Sequence, residues 1–336
     1  MRERAATALI ALELDAMAAL KNGQQHQDRE IRHRSAKLLA LISEIDLQQR
    51  FERFKNDTKP DQDYGLPGWD SYRELVGDNA AARSMFVSMH ESESRLLGES
   101  GKHPKQLTLA LAARCDELRE QASFGRFQVR IGTTATLLFV ATSDDVELSP
   151  LVQTVVYMAC GGSGFEAAIG SGPGREVLVT LAERWIAREP LQGITYALHL
   201  GLSHGLKGCL PRAREVFASP VASISDRIYA CLCLAKFGDA SDVPLLEAYL
   251  DDVNICAQDQ INGVVVVTEI RDLALAALVH LTEQSPKDFG FDRILPDRRV
   301  VFSLKSLGFR DEQSRVQAIA AWHEYRRLKA HSDTNP

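Results

Sequence analysis

Five segments of this chain repeat one pattern. An arginine is followed by a small residue three positions on, and by apolar or small residues at plus four, plus six and plus seven. The copies open at Arg2 (Ala5, Ala6, Ala8, Leu9), Arg32 (Ser35, Ala36, Leu38, Leu39), Arg227 (Ala230, Cys231, Cys233, Leu234), Arg271 (Ala274, Leu275, Ala277, Leu278) and Arg315 (Ala318, Ile319, Ala321, Trp322). The last three are spaced 44 residues apart. Offsets of three, four and seven return to one face of an α-helix. A period in the forties with two helices per unit is the signature of stacked helical repeats. The expectation is an all-α fold: an α-solenoid of stacked antiparallel helix pairs.

One helix pair cannot bury its apolar face alone, whereas stacked pairs share a continuous core. The small residue at plus three lets the adjacent helix approach closely. The arginine sits in the first turn, where a cation opposes the helix dipole by roughly a few tenths of a kcal/mol. Its recurrence predicts a compensating aspartate or carbonyl on the neighbouring repeat. Asp28, Ser223 and Asp311 stand four residues before Arg32, Arg227 and Arg315 and predict N-caps.

Helices are predicted at 2–20, 28–55, 70–76, 78–98, 105–121, 147–160, 173–188, 191–204, 222–237, 242–250, 268–283 and 311–329. Arg130 opens a degenerate sixth copy (Thr133, Thr134, Thr136, Leu137), where β-branched residues also permit a strand. The β-branched run Val264–Thr268 predicts a short hairpin or an extended loop. Residues 56–70, with two prolines and two glycines, break the helical pattern. The expected organisation is an N-terminal helical pair over 1–58, a linker over 59–70, an irregular solenoid over 71–328 and a polar tail over 329–336.

Apolar residues at 45% and charged residues at 25% are ordinary for a folded protein, and the net charge of −6 argues against a general duplex-binding role. Six cysteines scattered among apolar residues read as buried free thiols in a reducing compartment. The first 20 residues are amphipathic and carry Glu13 and Asp15, unlike a signal peptide. The uncharged runs Ile131–Ser143 and Leu148–Phe165 fall short of a membrane span. A cytoplasmic protein without membrane contact is expected. Arg2–Leu14 reads as the middle of a repeat with no cap before it, which leaves two expectations open: a chain that opens with a bare helix, or an N-terminal element ahead of it that could include a targeting signal.

The stretch Thr268–Gln284, the segments Pro286–Phe291 and Leu307–Glu312, and Ala320-Ala321-Trp322 resemble HEAT-repeat, armadillo-like helical proteins abundant in planctomycete bacteria. The segments Arg2–Thr7, Glu30–Leu39 and Leu66–Gly77 resemble the same group, while residues 100–220 match it poorly. The resemblance implies an α-solenoid with no catalytic residues to carry over. Such proteins often bear an export signal.

Motifs that carry chemistry are few. Asp288-Phe289-Gly290 imitates a kinase metal-binding triplet, but no glycine loop or His-Arg-Asp element precedes it. Phe289 and Phe291 are expected to plug the end of the stack. Gly170–Arg175 runs into a helix and offers Arg175 and the 172–175 amides to an anion, although it lacks the ending of a P-loop, and a flexible turn is the plainer reading. Cys231 and Cys233 lie two apart in a helix, and His199 and His204 five apart, both poor spacings for chelation. Neither metal nor cofactor is expected. The basic run Arg29, Arg32, Arg34, Lys37, Arg50, Arg53, Lys55 and Lys59 is interleaved with acids and reads as a solvated face rather than a phosphate track. Trp69 and Tyr72 are expected either to pack the next repeat or to anchor a bound peptide.

The function expected from these features is non-enzymatic: a scaffold binding a protein or peptide on the concave solenoid face. Its discriminating feature is an uncharged, partly apolar stripe on the inner helices. The alternative is nucleic-acid binding through the basic face at about 29–59.

Overall fold

The computed structural model describes residues 16–56, 64–101, 103–125, 127–261 and 263–334. The Arg2 copy and residues 59–63 of the expected linker lie outside them. The described residues are mostly helical, with 15 α-helices and four short strands. They run α1 (Met17–Gly23), α2 (Arg29–Asn56), α3 (Trp69–Val76), α4 (Ala80–Leu97), α5 (Pro104–Ser123), α6 (Ile131–Ala141), α7 (Pro150–Cys160) and α8 (Ser163–Ser171). Then follow α9 (Arg175–Arg188), α10 (Thr195–His204), α11 (Cys209–Ala218), α12 (Ile224–Phe237), α13 (Val243–Glu247), β1 (Ile255–Ile261), β2 (Val264–Glu269) and α14 (Ile270–Leu281). The chain ends with β3 (Pro296–Asp297), β4 (Val301–Phe302) and α15 (Glu312–Thr334).

Helix starts follow the expected caps. Asp28 Oδ1 accepts from the Glu30 amide at 2.8 Å, Ser223 Oγ from Asp226 at 3.1 Å, and Asp311 Oδ1 from Ser314 at 2.7 Å. The segment after Arg130 is a helix, α6, buried from Gly132 to Ala141. The 251–267 region forms an antiparallel hairpin, β1 on β2, with a register irregularity between Ile255 and Ala257. Two helices were not legible: α8, whose run is framed by Gly161, Gly162, Gly170 and Gly172, and α11, interrupted by Pro211. Residues 329–334, expected as a tail, continue α15, beginning with the good helix formers Lys329 and Ala330.

Packing runs along two tracks. Helices α5, α7, α10, α12 and α14 each pack on the next, and beside them α4 packs on α6, α6 on α9 and α9 on α11. Partners across the tracks also touch, as α9 on α10, α11 on α12 and α13 on α14. One core joins these helices. Ala16, Leu20 and Ile42 form a second, small core between α1 and the N-terminal part of α2. The C-terminal part of α2 brings Phe51 and Phe54 into the main core.

The repeat residues account for the closeness of the helices. Ala230, Ala274 and Ala318, the small residues at plus three, are all buried. The arginines find the partners that the helix dipole demands. Arg227 reaches Asp252 at 3.3 Å. Arg271 reaches Glu269 at 2.6 Å and Glu312, at the start of α15, at 2.9 Å. Arg315 reaches back to Asp272 of α14 at 2.7 Å and to the Val267 carbonyl at 3.1 Å. Arg32 donates to the carbonyls of His26 and Gln27 at the start of its own helix.

Candidate partner-binding surface

Helices α7, α10 and α12 lie side by side, and each leaves an aromatic side chain only partly covered. Ser149 caps α7 and Pro150 opens it, which sets Tyr157 two turns on at the height of α10. Tyr157 and Tyr196 stack with centroids 4.8 Å apart and planes at 27°. Tyr157 Oη and His199 Nδ1 hydrogen-bond at 2.9 Å. His199 meets Tyr229 of α12 edge-on at 5.3 Å. The result is one unbroken stripe, Tyr157–Tyr196–His199–Tyr229, across three neighbouring helices.

Burial pushes the phenols of Tyr157 and Tyr229 up and the His199 imidazole down, the last helped by the Arg299 charge. All are therefore neutral at pH 7. His204 is also pushed down by burial; Glu166 opposes this, and Arg299 and His199 add to it.

The short β3–β4 hairpin borders this stripe. Lys236 of α12 holds it: Nζ donates to the Arg299 carbonyl at 2.6 Å, the Arg298 carbonyl at 3.4 Å and the Leu202 carbonyl at 2.7 Å. The turn is tightened by Asp297 Oδ1, which accepts from the amides of Arg299 and Val300. Val301 leaves the turn at φ +73°, a strained conformation for a β-branched residue. The Arg298 and Arg299 side chains are exposed at the tip, and Arg299 reaches Glu166 of α8 at 3.8 Å. A neutral aromatic band with two exposed arginines nearby has the chemistry to stack on rings and to pair with anions.

Residues singled out from the sequence lie elsewhere or act otherwise. Trp69 (6% exposed) and Tyr72 (fully buried) pack α3 onto α2 and α4. Trp69 meets Phe54 edge-on at 4.6 Å, and Tyr72 lies 5.0 Å from Phe86. Neither presents a surface to a peptide. The Arg83 guanidinium sits over Phe54 and pairs with Asp78 at 2.5 Å, closing this cluster. The described part of the expected linker joins it, with Tyr64, Leu66 and Trp69 buried in the main core.

Arg175 is exposed at the start of α9, with Glu176 in the same first turn to oppose an anion there. Cys231 and Cys233 are core side chains. Among the described residues no group of three or more His, Cys, Asp or Glu is placed to hold a metal ion. Phe289 packs against Trp322 and Tyr325 of α15, and Phe291 against Phe309. On α2, Arg34, Arg50 and Lys55 pair with Glu30, Asp46 and Glu52 of the same helix. A cleft of about 370 Å³ lies elsewhere, lined by Ser71, Glu99, Ser100, His103, Phe139 and Asp144.

The stripe itself escapes sequence reading, apart from His199 as a weighed and rejected ligand. Its tyrosines fall 39 and 33 residues apart (157, 196, 229), off the 44-residue spacing of the arginines. Among the described residues no helix is long and apolar enough to cross a membrane. Comparison with protein-family models, with curated proteins and with solved structures finds no match in any of the three.

Proposed function

We propose that this chain is an α-solenoid of the HEAT or armadillo kind that works by binding, without catalysis, and holds a protein partner against the tyrosine stripe. The observation that carries the reading is the stripe: a neutral, partly apolar band that continues unbroken over α7, α10 and α12. The successive packing of α5, α7, α10, α12 and α14 supports the solenoid, because a stack of this kind offers an extended surface to a partner. Aromatic side chains dominate protein interfaces because they bury large area at small entropic loss. The interleaved acids on α2 support reading its basic residues as a solvated face rather than a phosphate track.

The test is capture from native lysate on the immobilised chain, at low and high salt, beside a Tyr157→Ala/Tyr196→Ala/Tyr229→Ala variant checked for helicity by circular dichroism. The expected result is a protein retained at high salt by the parent chain and lost by the variant. Retention of nucleic acid alone, only at low salt and sensitive to Arg29→Gln/Arg32→Gln, overturns the reading in favour of nucleic-acid binding. Equal retention by parent and variant removes the stripe from the account.

A further inference from the structure

Resting on that reading of the stripe, we propose that its occupant is an acidic peptide segment carrying an aromatic residue, the ring lying on Tyr196 and the carboxylates on Arg298 and Arg299. The argument begins with charge. The chain carries −6 overall, yet the hairpin beside the stripe turns two adjacent arginines outward. Among the described residues the Arg298 guanidinium has no partner. Arg299 has Glu166, at 3.8 Å and with both side chains well exposed. An exposed pair at that distance is weak and exchanges readily for another carboxylate.

The hairpin that carries these arginines is fixed. Two of its carbonyls, those of Arg298 and Arg299, are tied to Lys236, which also holds the Leu202 carbonyl of α10; two of its amides are tied to Asp297, and Val301 is held at positive φ. Backbone strain of this kind persists only where surrounding contacts over-determine it, and it is commonest at binding and catalytic sites. The cations are thereby set at a constant place relative to the rings. Tyr196 is the ring with most surface left: it stacks on Tyr157 yet stays 39% exposed.

Ring and cation together would also suit single-stranded nucleic acid, which stacks on aromatics and follows a cationic groove. The charge count favours the peptide. A nucleic-acid strand brings one phosphate per nucleotide, whereas this border offers two arginines with Glu166 and Asp297 beside them. Two arginines, one free of a carboxylate and one on a weak exchangeable pair, can seat about two carboxylates but not a phosphate at every nucleotide, which fits a short acidic peptide better than a strand.

Fluorescence anisotropy of the full chain against two labelled polymers of matched length, poly-Glu and random poly(Glu,Tyr), tests this. The parent chain binds poly(Glu,Tyr) more tightly, and the affinity falls as salt is raised. Arg298→Gln/Arg299→Gln weakens both polymers by about fivefold or more, the equivalent of roughly 1 kcal/mol. Tyr196→Ala weakens only poly(Glu,Tyr). Glu166→Gln, which removes the competing carboxylate, strengthens both. Arg34→Gln on α2 changes neither. Equal binding of poly-Lys, tighter binding of oligouridine RNA of the same length, or affinities untouched by the hairpin and Tyr196 variants overturn the proposal. A lysate protein retained through the stripe, with no preference for the acidic copolymer, overturns this proposal alone and leaves the binding reading standing. Loss of both removes both.

Discussion

Arg315 illustrates how a cation is kept in the first turn of a helix. Its Nε donates to Asp272 at 2.7 Å, its second amino group to the Val267 carbonyl, and its face lies 6.0 Å from the Phe309 ring. The Asp272 side chain is wholly buried, and burial raises its pKa while Arg315 opposes the rise. Removing one partner of a buried pair strands the other charge. Arg315→Ala is therefore expected to destabilise by about 3–5 kcal/mol, and Arg315→Met/Asp272→Leu to recover most of it. Urea unfolding measures both, and a loss below about 1 kcal/mol in the single variant refutes the assignment.

Glu189 gives a pH test. It is buried at the end of α9, and burial pushes its carboxyl up to about 8 against the pull of Trp185, Arg188, Gln153 and Arg212. A raised carboxyl means that the folded state holds its proton longer than the unfolded one. Stability from this group is full below about 4.5 and is lost as pH rises through about 8. Glu189→Gln is expected to flatten that fall and to be the more stable protein at pH 8. A parallel loss in both proteins would show that another group is responsible. The partner of Arg315 was foreseeable, because the arginine recurs where the dipole disfavours it. Glu189 was not, because groups far off in sequence surround it, Gln153 of α7 and Arg212 of α11 among them, and α11 itself escaped the pattern.

Elements show where periodicity succeeds and where it stops. The copies at Arg227, Arg271 and Arg315 became α12, α14 and α15 because each keeps small or apolar residues on one face. Helix α6 was ambiguous: Thr133, Thr134 and Thr136 favour strand locally, but burial on every side makes a helix the better way to pair its backbone. Its second residue sets the approach. A methyl group added at Gly132 would stand 2.0 Å from the Ser88 carbonyl oxygen of α4. Gly132→Ala must part α4 from α6 and is expected to cost about 1–3 kcal/mol or more, read from thermal or urea unfolding. No change in stability would mean that the two helices are farther apart than described. The β3–β4 hairpin is two residues per strand in a charged sequence, and what fixes it is Lys236, about 60 residues away, so no local signal announces it.

At the scale of the whole molecule, the arginine spacing told of helix stacking and not of the surface that stacking would make. Tyr157, Tyr196 and Tyr229 are single aromatics in unrelated stretches, and only the packing of α7 on α10 and α10 on α12 brings them together. The aromatic residues that cluster in sequence, Trp69 and Tyr72, were consumed by the core instead. The central claim is that this assembled stripe holds a partner. Hydrogen–deuterium exchange of the full chain, alone and with the protein it retains from lysate, tests it most directly. The account predicts slowed exchange in 150–160, 195–204, 224–237 and 296–302. Protection confined to 29–56, or none in the stripe helices, would contradict it.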